Sequence, residues 1–123
     1  MWNEPDDRVK KTVSSGTGRN FFIQYTFFQN GSFFIITEGE QRIGAISISI
    51  NASGKVNTAK VIPSKYDSIF INTIAEKVSA MINGICLVSL YSKSQLQLDD
   101  MKAIMGEVMN IVGSRKHNED QHQ

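Results

Sequence analysis

SKYDSIFINTIAEKVSAMINGICLVSLY, residues 64–91, decides the fold because it contains a loop, an amphipathic helix, a stop signal and an apolar strand in succession. Asn83-Gly84 supplies residues that adopt the left-handed conformation at a helix end, and the apolar run Ile85–Leu90 follows at once. Because an isolated helix of this length is marginal in water, it must dock on a sheet. The apolar residues at helical spacing are Ile71, Ile74, Ala75, Val78, Met81 and Ile82.

The residues before this stretch read as strands. Phe21–Phe28 is rich in aromatic and β-branched residues, and Asn30-Gly31 after it is a strong hairpin signal. Ser32–Thr37 is then the partner strand, and isoleucine alternates with serine at the end of Arg42–Ile50. We therefore predict three antiparallel strands in a meander.

Further elements flank this region. Val9–Ser14 can form a short edge strand, and Val56–Ile62 can add a strand before Pro63 stops it. The apolar spacing over 98–112 predicts a second helix that ends at Gly113. Asp99, Asp100 and Glu107 are expected on its solvated face, the two aspartates near the positive end of the helix dipole.

These elements predict an α+β fold, an antiparallel β-meander of four to six strands with two helices on one face, in the order β-β-β-β-α-β-α. We expect residues 1–20 to form a mobile N-terminal arm with a possible edge strand, residues 21–113 a single α+β domain, and residues 114–123 a disordered tail. A chain of 123 residues has room for one core.

The strands are apolar on both faces, although two helices can cover only one. A solvated sheet face is normally polar, so the second apolar face predicts a cover from another chain, as in a sheet-to-sheet dimer. We assign to this partner-binding face the side chains of Phe22, Phe28, Phe34 and Ile36.

Catalytic and metal-binding residues are not indicated. Both histidines, His117 and His122, lie in the predicted tail, and Cys86 lies in an apolar run where a small buried side chain is expected. We therefore predict no enzyme activity, no cofactor and no metal. Lys10, Lys11 and Arg19 are too sparse, at a net charge of +1, to indicate nucleic acid binding.

Targeting features are also lacking in the sequence. No run approaches 18 apolar residues and no secretory signal precedes the first strand, so we expect no membrane partner and a cytoplasmic location, with the nucleus also open. In the loop before the first helix, Asp67 or Ser68 is expected to cap the helix, and a partner contact at Tyr66 and Asp67 is the alternative.

The region from Phe21 to Val112 resembles the small proteasome assembly chaperones, the family containing proteasome assembly chaperones 3 and 4. The resemblance rests on the succession GAISISI, TAKVI, SKYDSIF, NTIAEKVSAMI, GICLVSLYSK and LDDMKAIMGEVMNIV. The SKYDSIF loop is similar to the chaperone 4 branch, whereas the longer segment Asn51–Ile62 is similar to chaperone 3. We favour the chaperone 4 branch.

The resemblance implies a non-enzymatic chaperone that forms a homodimer, or a heterodimer with a sister chaperone, through its sheet. It also implies binding of α-type proteasome subunits, which promotes formation of the α ring of the core particle. We assign the loop residues Ser64, Lys65, Tyr66 and Asp67 to the contact with this client. The alternative is a roadblock-like or profilin-like module, since these interaction scaffolds also combine helices with an antiparallel sheet.

Overall fold

The computed structural model describes residues 8–121, with side chains as far as Arg115. Residues 1–7 of the predicted arm and 122–123 of the predicted tail lie outside the described part. In chain order, the elements are β1 (Arg8–Ser14), β2 (Asn20–Phe28), β3 (Gly31–Thr37), β4 (Ala45–Ala52), β5 (Lys55–Ile62), α1 (Ser68–Ile82), β6 (Ile85–Tyr91) and α2 (Leu98–Gln121).

The six strands form one mixed sheet in the order β1-β2-β3-β6-β4-β5. The α+β class and the two helices are confirmed, and β1 is the predicted edge strand. The simple meander is wrong, because β6 lies between β3 and β4 and pairs with β3 in parallel. The connection 38–44 carries the chain past one strand position, and β6 fills that position after α1 returns the chain to the sheet.

Both helices pack on the same face of the sheet, where one hydrophobic core forms. Fully buried side chains of β2, β3 and β6 meet the apolar stripes of α1 and α2 there. The sheet residues of this core are Phe21, Ile23, Tyr25, Phe34, Ile36, Cys86, Val88 and Leu90, and its helix residues include Ile71, Ile74, Val78, Ile104, Val108 and Val112.

Helix α1 ends as predicted, with Asn83 in the left-handed conformation at φ 54° and ψ 51°. The Gly84 N–H donates to the Ser79 carbonyl at 3.2 Å, and the buried Ser79 hydroxyl donates to the Gly84 carbonyl at 2.6 Å. A Cβ on Gly84 would lie 2.7 Å from the Asn30 carbonyl oxygen, so glycine is required for the approach of this turn to the β2–β3 hairpin.

Helix α2 extends further than the sequence predicts. The predicted end at Gly113 is wrong, because the helix continues to Gln121 through residues expected to form a polar tail. Gly113 lies inside the helix with no atom within 4 Å of the position of a Cβ, so no close approach explains the glycine. The polar residues after it lack a breaker, and helix propagation costs less than nucleation.

Candidate partner-binding surfaces

The sheet face opposite the helices is apolar and is covered by no element of residues 8–121. We call it the open face. Side chains alternate along a strand, so the strand register identifies which residues share this face. None of its large apolar side chains is buried, and Phe28 and Ile50 are 52% and 45% exposed. They are Phe22, Phe28, Phe33, Ile35, Ile46, Ile48, Ile50, Ile85 and Leu87.

Strand β4 alternates in the opposite sense to an ordinary amphipathic strand. Ser47 and Ser49 are 1% and 0% exposed beneath α1, while Ile46, Ile48 and Ile50 point to the open face. The Ser47 hydroxyl donates to the Asn72 Oδ1 on α1 at 2.6 Å. Helix α1 therefore contacts β4 partly through hydrogen bonds, and the apolar side of this strand is left to the open face.

A hydrogen-bonded chain joins Ser49 of β4 to α1 by way of the edge strand β5. The hydroxyls of Ser49 and Thr58 lie 2.7 Å apart, and Thr58 donates to the Glu76 carboxylate at 2.8 Å. Asn72 and Glu76 of α1 therefore face β4 and β5. These contacts satisfy the buried hydroxyls and fix which face of β4 lies under the helix.

Of the four residues assigned from the sequence to the partner-binding face, two lie on the open face and two lie in the core. Phe22 and Phe28 lie on the open face, but placing Phe34 and Ile36 there is wrong, since both are 0% exposed in the core. The hairpin register pairs Phe34 with Tyr25 and Ile36 with Ile23, and cross-strand partners share a face.

Most residues of the open face were not identified from the sequence. The predicted hairpin nevertheless contained the information needed to identify them. A two-residue loop pairs even-numbered residues with odd-numbered ones, so Phe33 and Ile35, not Phe34 and Ile36, share the face of Phe22. The observed loop is Gln29-Asn30, one residue earlier than the predicted Asn30-Gly31. Either loop pairs even-numbered residues with odd-numbered ones.

The loop assigned to client binding is partly accessible. Its Lys65 and Tyr66 side chains are exposed, whereas Ser64 is half-buried and Asp67 is only 5% exposed. The Ser64 hydroxyl accepts hydrogen bonds from the N–H groups of Tyr66 at 3.2 Å and Asp67 at 2.8 Å, which orders the turn. Lys65 and Tyr66 are therefore the two side chains of this loop that are exposed to solvent.

Asp67 occupies the N-cap position of α1 but makes no side-chain capping bond, contrary to the expectation. Its carboxylate accepts a hydrogen bond from the Leu96 N–H, and its Oδ1 has no partner among the described residues. Burial raises the pKa of Asp67, and the Leu96 hydrogen bond and the positive charge of Arg19 oppose that rise only in part. Asp67 links the loop to the start of α2.

A cluster of Arg19, Glu38 and Asp100, which we call the clasp, joins the β1–β2 hairpin, the end of β3 and the start of α2. The Arg19 guanidinium donates to Glu38 Oε1 at 2.6 Å and Oε2 at 2.8 Å, and to Asp100 Oδ2 at 3.1 Å. The Asp100 carboxylate also accepts hydrogen bonds from the Thr17 hydroxyl at 2.5 Å and the Gln97 N–H at 2.8 Å. Asp100 is 0% exposed, contrary to the solvated position expected for it.

The charges of the clasp are mutually stabilised. The Arg19 hydrogen bonds lower the pKa of Glu38, although burial opposes them. Burial alone would raise the pKa of Asp100, but hydrogen bonds from Thr17, Ser15 and the Gln97 N–H, together with the Arg19 charge, lower it overall. The hydrogen bonds stabilise the charged form of each carboxylate, so the clasp has a structural role and is not an acid–base pair.

The remaining candidate for reactivity is Cys86, which is buried in the core. Its pKa is raised to about 12 because burial disfavours the thiolate. In the described part of the chain, no group of three or more His, Cys, Asp or Glu side chains is placed to hold a metal ion. Neither helix within residues 8–121 has the length and hydrophobicity needed to cross a lipid bilayer.

No protein-family profile and no curated protein matches the chain by sequence. Among solved structures, the chain is similar to one chain of a crystal structure of a chaperone complex for yeast 20S proteasome assembly. The TM-score is 0.57 at 14% identity, and the match covers 93% of this chain and 94% of that chain. The mixed six-stranded sheet with two helices is therefore a fold shared with that chaperone chain over nearly the whole length of both.

Proposed function

We propose that this chain is a non-enzymatic assembly chaperone of the cytoplasm or nucleus, which pairs with a second chaperone and binds α-type proteasome subunits to promote formation of the α ring. The observation that carries the proposal is the alternation of β4, which turns Ile46, Ile48 and Ile50 away from the chain's own helices. Three aligned isoleucines on an uncovered sheet face mark a surface that another protein covers.

Pairing through the open face follows from its composition. The isoleucines of β4 lie beside Ile85 and Leu87 of β6, which in turn lie beside Phe33 and Ile35 of β3. A second sheet packed on this surface would bury these rows as the core of a β-sandwich, with the two sheets about 10 Å apart. Pairing would thus complete the packing that this chain begins.

The charges around the open face favour a partner that is a different chain. None of the six strands contains an aspartate or glutamate, and lysines flank the face on both edge strands, at Lys10 of β1 and Lys55 of β5. In an aligned sandwich of two copies, two-fold symmetry places one basic edge over another. A sister chaperone with carboxylates at the matching edges would pair more favourably.

The assignment to proteasome assembly is supported by the shared fold and by the sequence resemblance. The solved chaperone complex, named for 20S proteasome assembly, contains a chain of the same topology over nearly the full length of both. The SKYDSIF loop favours the chaperone 4 branch of the family. A sister chaperone would then be the partner on the open face, and α-type subunits the client.

Two measurements test the proposal. The first is the retention of individually purified α-type proteasome subunits on the immobilised protein. The second is the mass of the particle formed by the protein alone and with its co-expressed partner, measured by sedimentation. We expect a pair with the partner and retention of at least one α-type subunit. A protein that stays monomeric with every candidate chaperone and retains no α-type subunit would refute the assignment.

Ile48→Asp tests the open face directly, because Ile48 pairs with Leu87 near the centre of that face. An unpaired charge buried in the interface costs about 3–5 kcal/mol, which raises the Kd of pairing by roughly 150-fold to 4,000-fold. Ile48 is only half-buried in the single chain, so the far-UV spectrum should remain native. Lys77→Asp, at an exposed position of α1, is the matched control and should pair normally.

A further inference from the structure

A second candidate surface lies where β4 begins and β5 and β6 end. A cavity of about 410 Å³ opens there between the ends of these strands and the loop before α1. We call it the corner pocket. Its walls include the apolar side chains of Ile43, Ile62 and Tyr66, which are 75%, 43% and 44% exposed. Exposed large apolar side chains concentrated around one depression indicate a binding surface.

The described lining of the corner pocket carries positive charge. Lys65 and Lys93 line it, and none of the lining residues within the described part of the chain is an aspartate or glutamate. The Lys65 Nζ lies 5.5 Å from the centre of the Tyr66 ring, which places the charge at the rim beside an apolar wall. An apolar depression lined by two lysines is complementary to an apolar side chain next to a carboxylate.

The side chains of Lys65 and Lys93 are both exposed to solvent. Lys93 neighbours the Glu38 carboxylate, but Glu38 is already bound through both of its oxygens by Arg19 of the clasp. The stem of Lys93 crosses Gly39, where a Cβ would lie 2.6 Å from the Lys93 Cε. Gly39 has φ +76°, so this turn favours glycine, and the absent side chain leaves room for the Lys93 side chain to cross the turn.

The apolar surface continues past Tyr66 to the start of α1. A second cavity of about 380 Å³ shares Tyr66 as a wall and includes Ile69, which is 82% exposed, and Met101. Tyr66 therefore separates two depressions, only the first of which has lysines among its lining residues. This arrangement suits an extended segment with a carboxylate at one end and apolar side chains along it.

We propose that the corner pocket is the client-binding site, and that it binds a segment of an α-type subunit in which an apolar side chain lies next to an acidic one. The inference rests on the proposed function and adds the chemistry of recognition. Lys65 and Lys93 bind the carboxylate, while Ile43, Ile62 and Tyr66 enclose the apolar side chain. The hydrogen bonds of the Ser64 hydroxyl hold Lys65 and Tyr66 at the rim.

The test is a charge reversal at the pocket, Lys65→Glu with Lys93→Glu, compared with Lys77→Glu with Lys102→Glu on the exposed surfaces of the helices. The probe is the purified α-type subunit that the unmodified protein retains, and the readout is its Kd at low and high salt. We expect the pocket variant to raise the Kd by about tenfold at low salt, while the helix variant leaves it within about twofold.

The salt dependence separates a direct contact from an indirect effect. The unmodified protein should bind more weakly at high salt, and the pocket variant should lose most of that dependence because its attractive charges are gone. Ile43→Ser should raise the Kd at both salt concentrations, since it removes an apolar contact of the pocket and no charge, and Ile43 lies outside the strands of the open face. Circular dichroism checks that each variant retains the native fold.

The outcomes distinguish this inference from the proposed function. If the unmodified protein binds an α-type subunit and the pocket variant binds it equally well, the corner pocket is not the client site, although the proposed function stands. If the helix variant weakens binding as much as the pocket variant does, the site is overturned as well. Failure of the unmodified protein to bind any α-type subunit overturns both.

Discussion

Arg19→Met should destabilise the protein by about 3–5 kcal/mol, because it removes the cation of the clasp and leaves the Asp100 carboxylate buried without a charged partner. Arg19 also makes two hydrogen bonds to Glu38, at 2.6 and 2.8 Å, and it reaches the carbonyl oxygens of Ser94 and Gln95. The substitution therefore removes the Arg19 contacts between the β1–β2 hairpin and the connection that leads into α2.

The size of the effect follows from the burial of the partners. The side chain of Asp100 is 0% exposed, so water cannot replace the lost guanidinium there. The side chain of Glu38 is 10% exposed, so water can replace it only in part. For a chain of 123 residues, a loss of this size lowers Tm by roughly 10–20 °C. The Thr17 and Gln97 hydrogen bonds to Asp100 remain, which keeps the loss toward the lower end of the range.

Urea unfolding followed by circular dichroism measures the change. Arg19→Lys retains a positive charge but cannot bind both Glu38 oxygens with one planar group, so its loss should be intermediate. Adding Asp100→Asn to Arg19→Met removes the unpaired charge and should recover part of the stability. An Arg19→Met variant within about 1 kcal/mol of the unmodified protein would show that the clasp contributes little.

The clasp also makes a pH-dependent contribution to the free energy of unfolding. The directions in which the carboxylate pKa values are shifted determine the sign of that contribution. The pKa values of Glu38 and Asp100 are lowered in the folded state, so their contribution is present above the ordinary carboxylate pKa and is lost as pH falls through the folded values. The difference in the free energy of unfolding between the unmodified protein and Arg19→Met should therefore shrink as pH falls below about 4.

Two further predictions concern single positions in the core and the turns. Gly84→Ala should lower the free energy of unfolding by more than about 1 kcal/mol, because its Cβ would lie 2.7 Å from the Asn30 carbonyl oxygen. Gly106→Ala, in an open position of α2, should instead raise it by about 0.5–1 kcal/mol. Thermal unfolding measures both variants, and equal effects would contradict the close approach at Gly84. Cys86 should fail to react with a thiol reagent at pH 8 in the native protein and react fully in urea, since its pKa is raised to about 12; rapid native reaction would show that the β3–β6 region opens readily.

The elements of this fold could be predicted because their signals are local. The helical spacing from Ile71, the stop at Asn83 and the hairpin after Phe28 each depend on a few neighbouring residues. The face assignment of Phe34 and Ile36 failed although the predicted two-residue hairpin already contained the answer in its parity. That error came from reading each strand alone, without the register that joins the pair.

Other features could not be predicted, since they depend on contacts between distant parts of the chain. The insertion of β6 beside β3 joins residues more than fifty positions apart, and no local pattern specifies which strand edge β6 meets. The pairing of Arg19 with Asp100 is of the same kind, with 81 positions between them. In the sequence, Arg19 resembles an isolated surface cation and Asp100 an ordinary first-turn carboxylate.

Strand β4 has one row of side chains that contacts α1 and a second row that lies on the open face. Alternation at β4 gives one apolar row and one polar row, and either could have faced α1. The helix selects the polar row because Asn72 and Glu76 provide partners for Ser47 and, through Thr58, for Ser49. Burying hydroxyl groups beneath the helix costs little free energy once they are hydrogen-bonded, whereas isoleucine side chains that remain in water are unfavourable. A partner covering the open face would remove that cost, because it would take Ile46, Ile48 and Ile50 out of water.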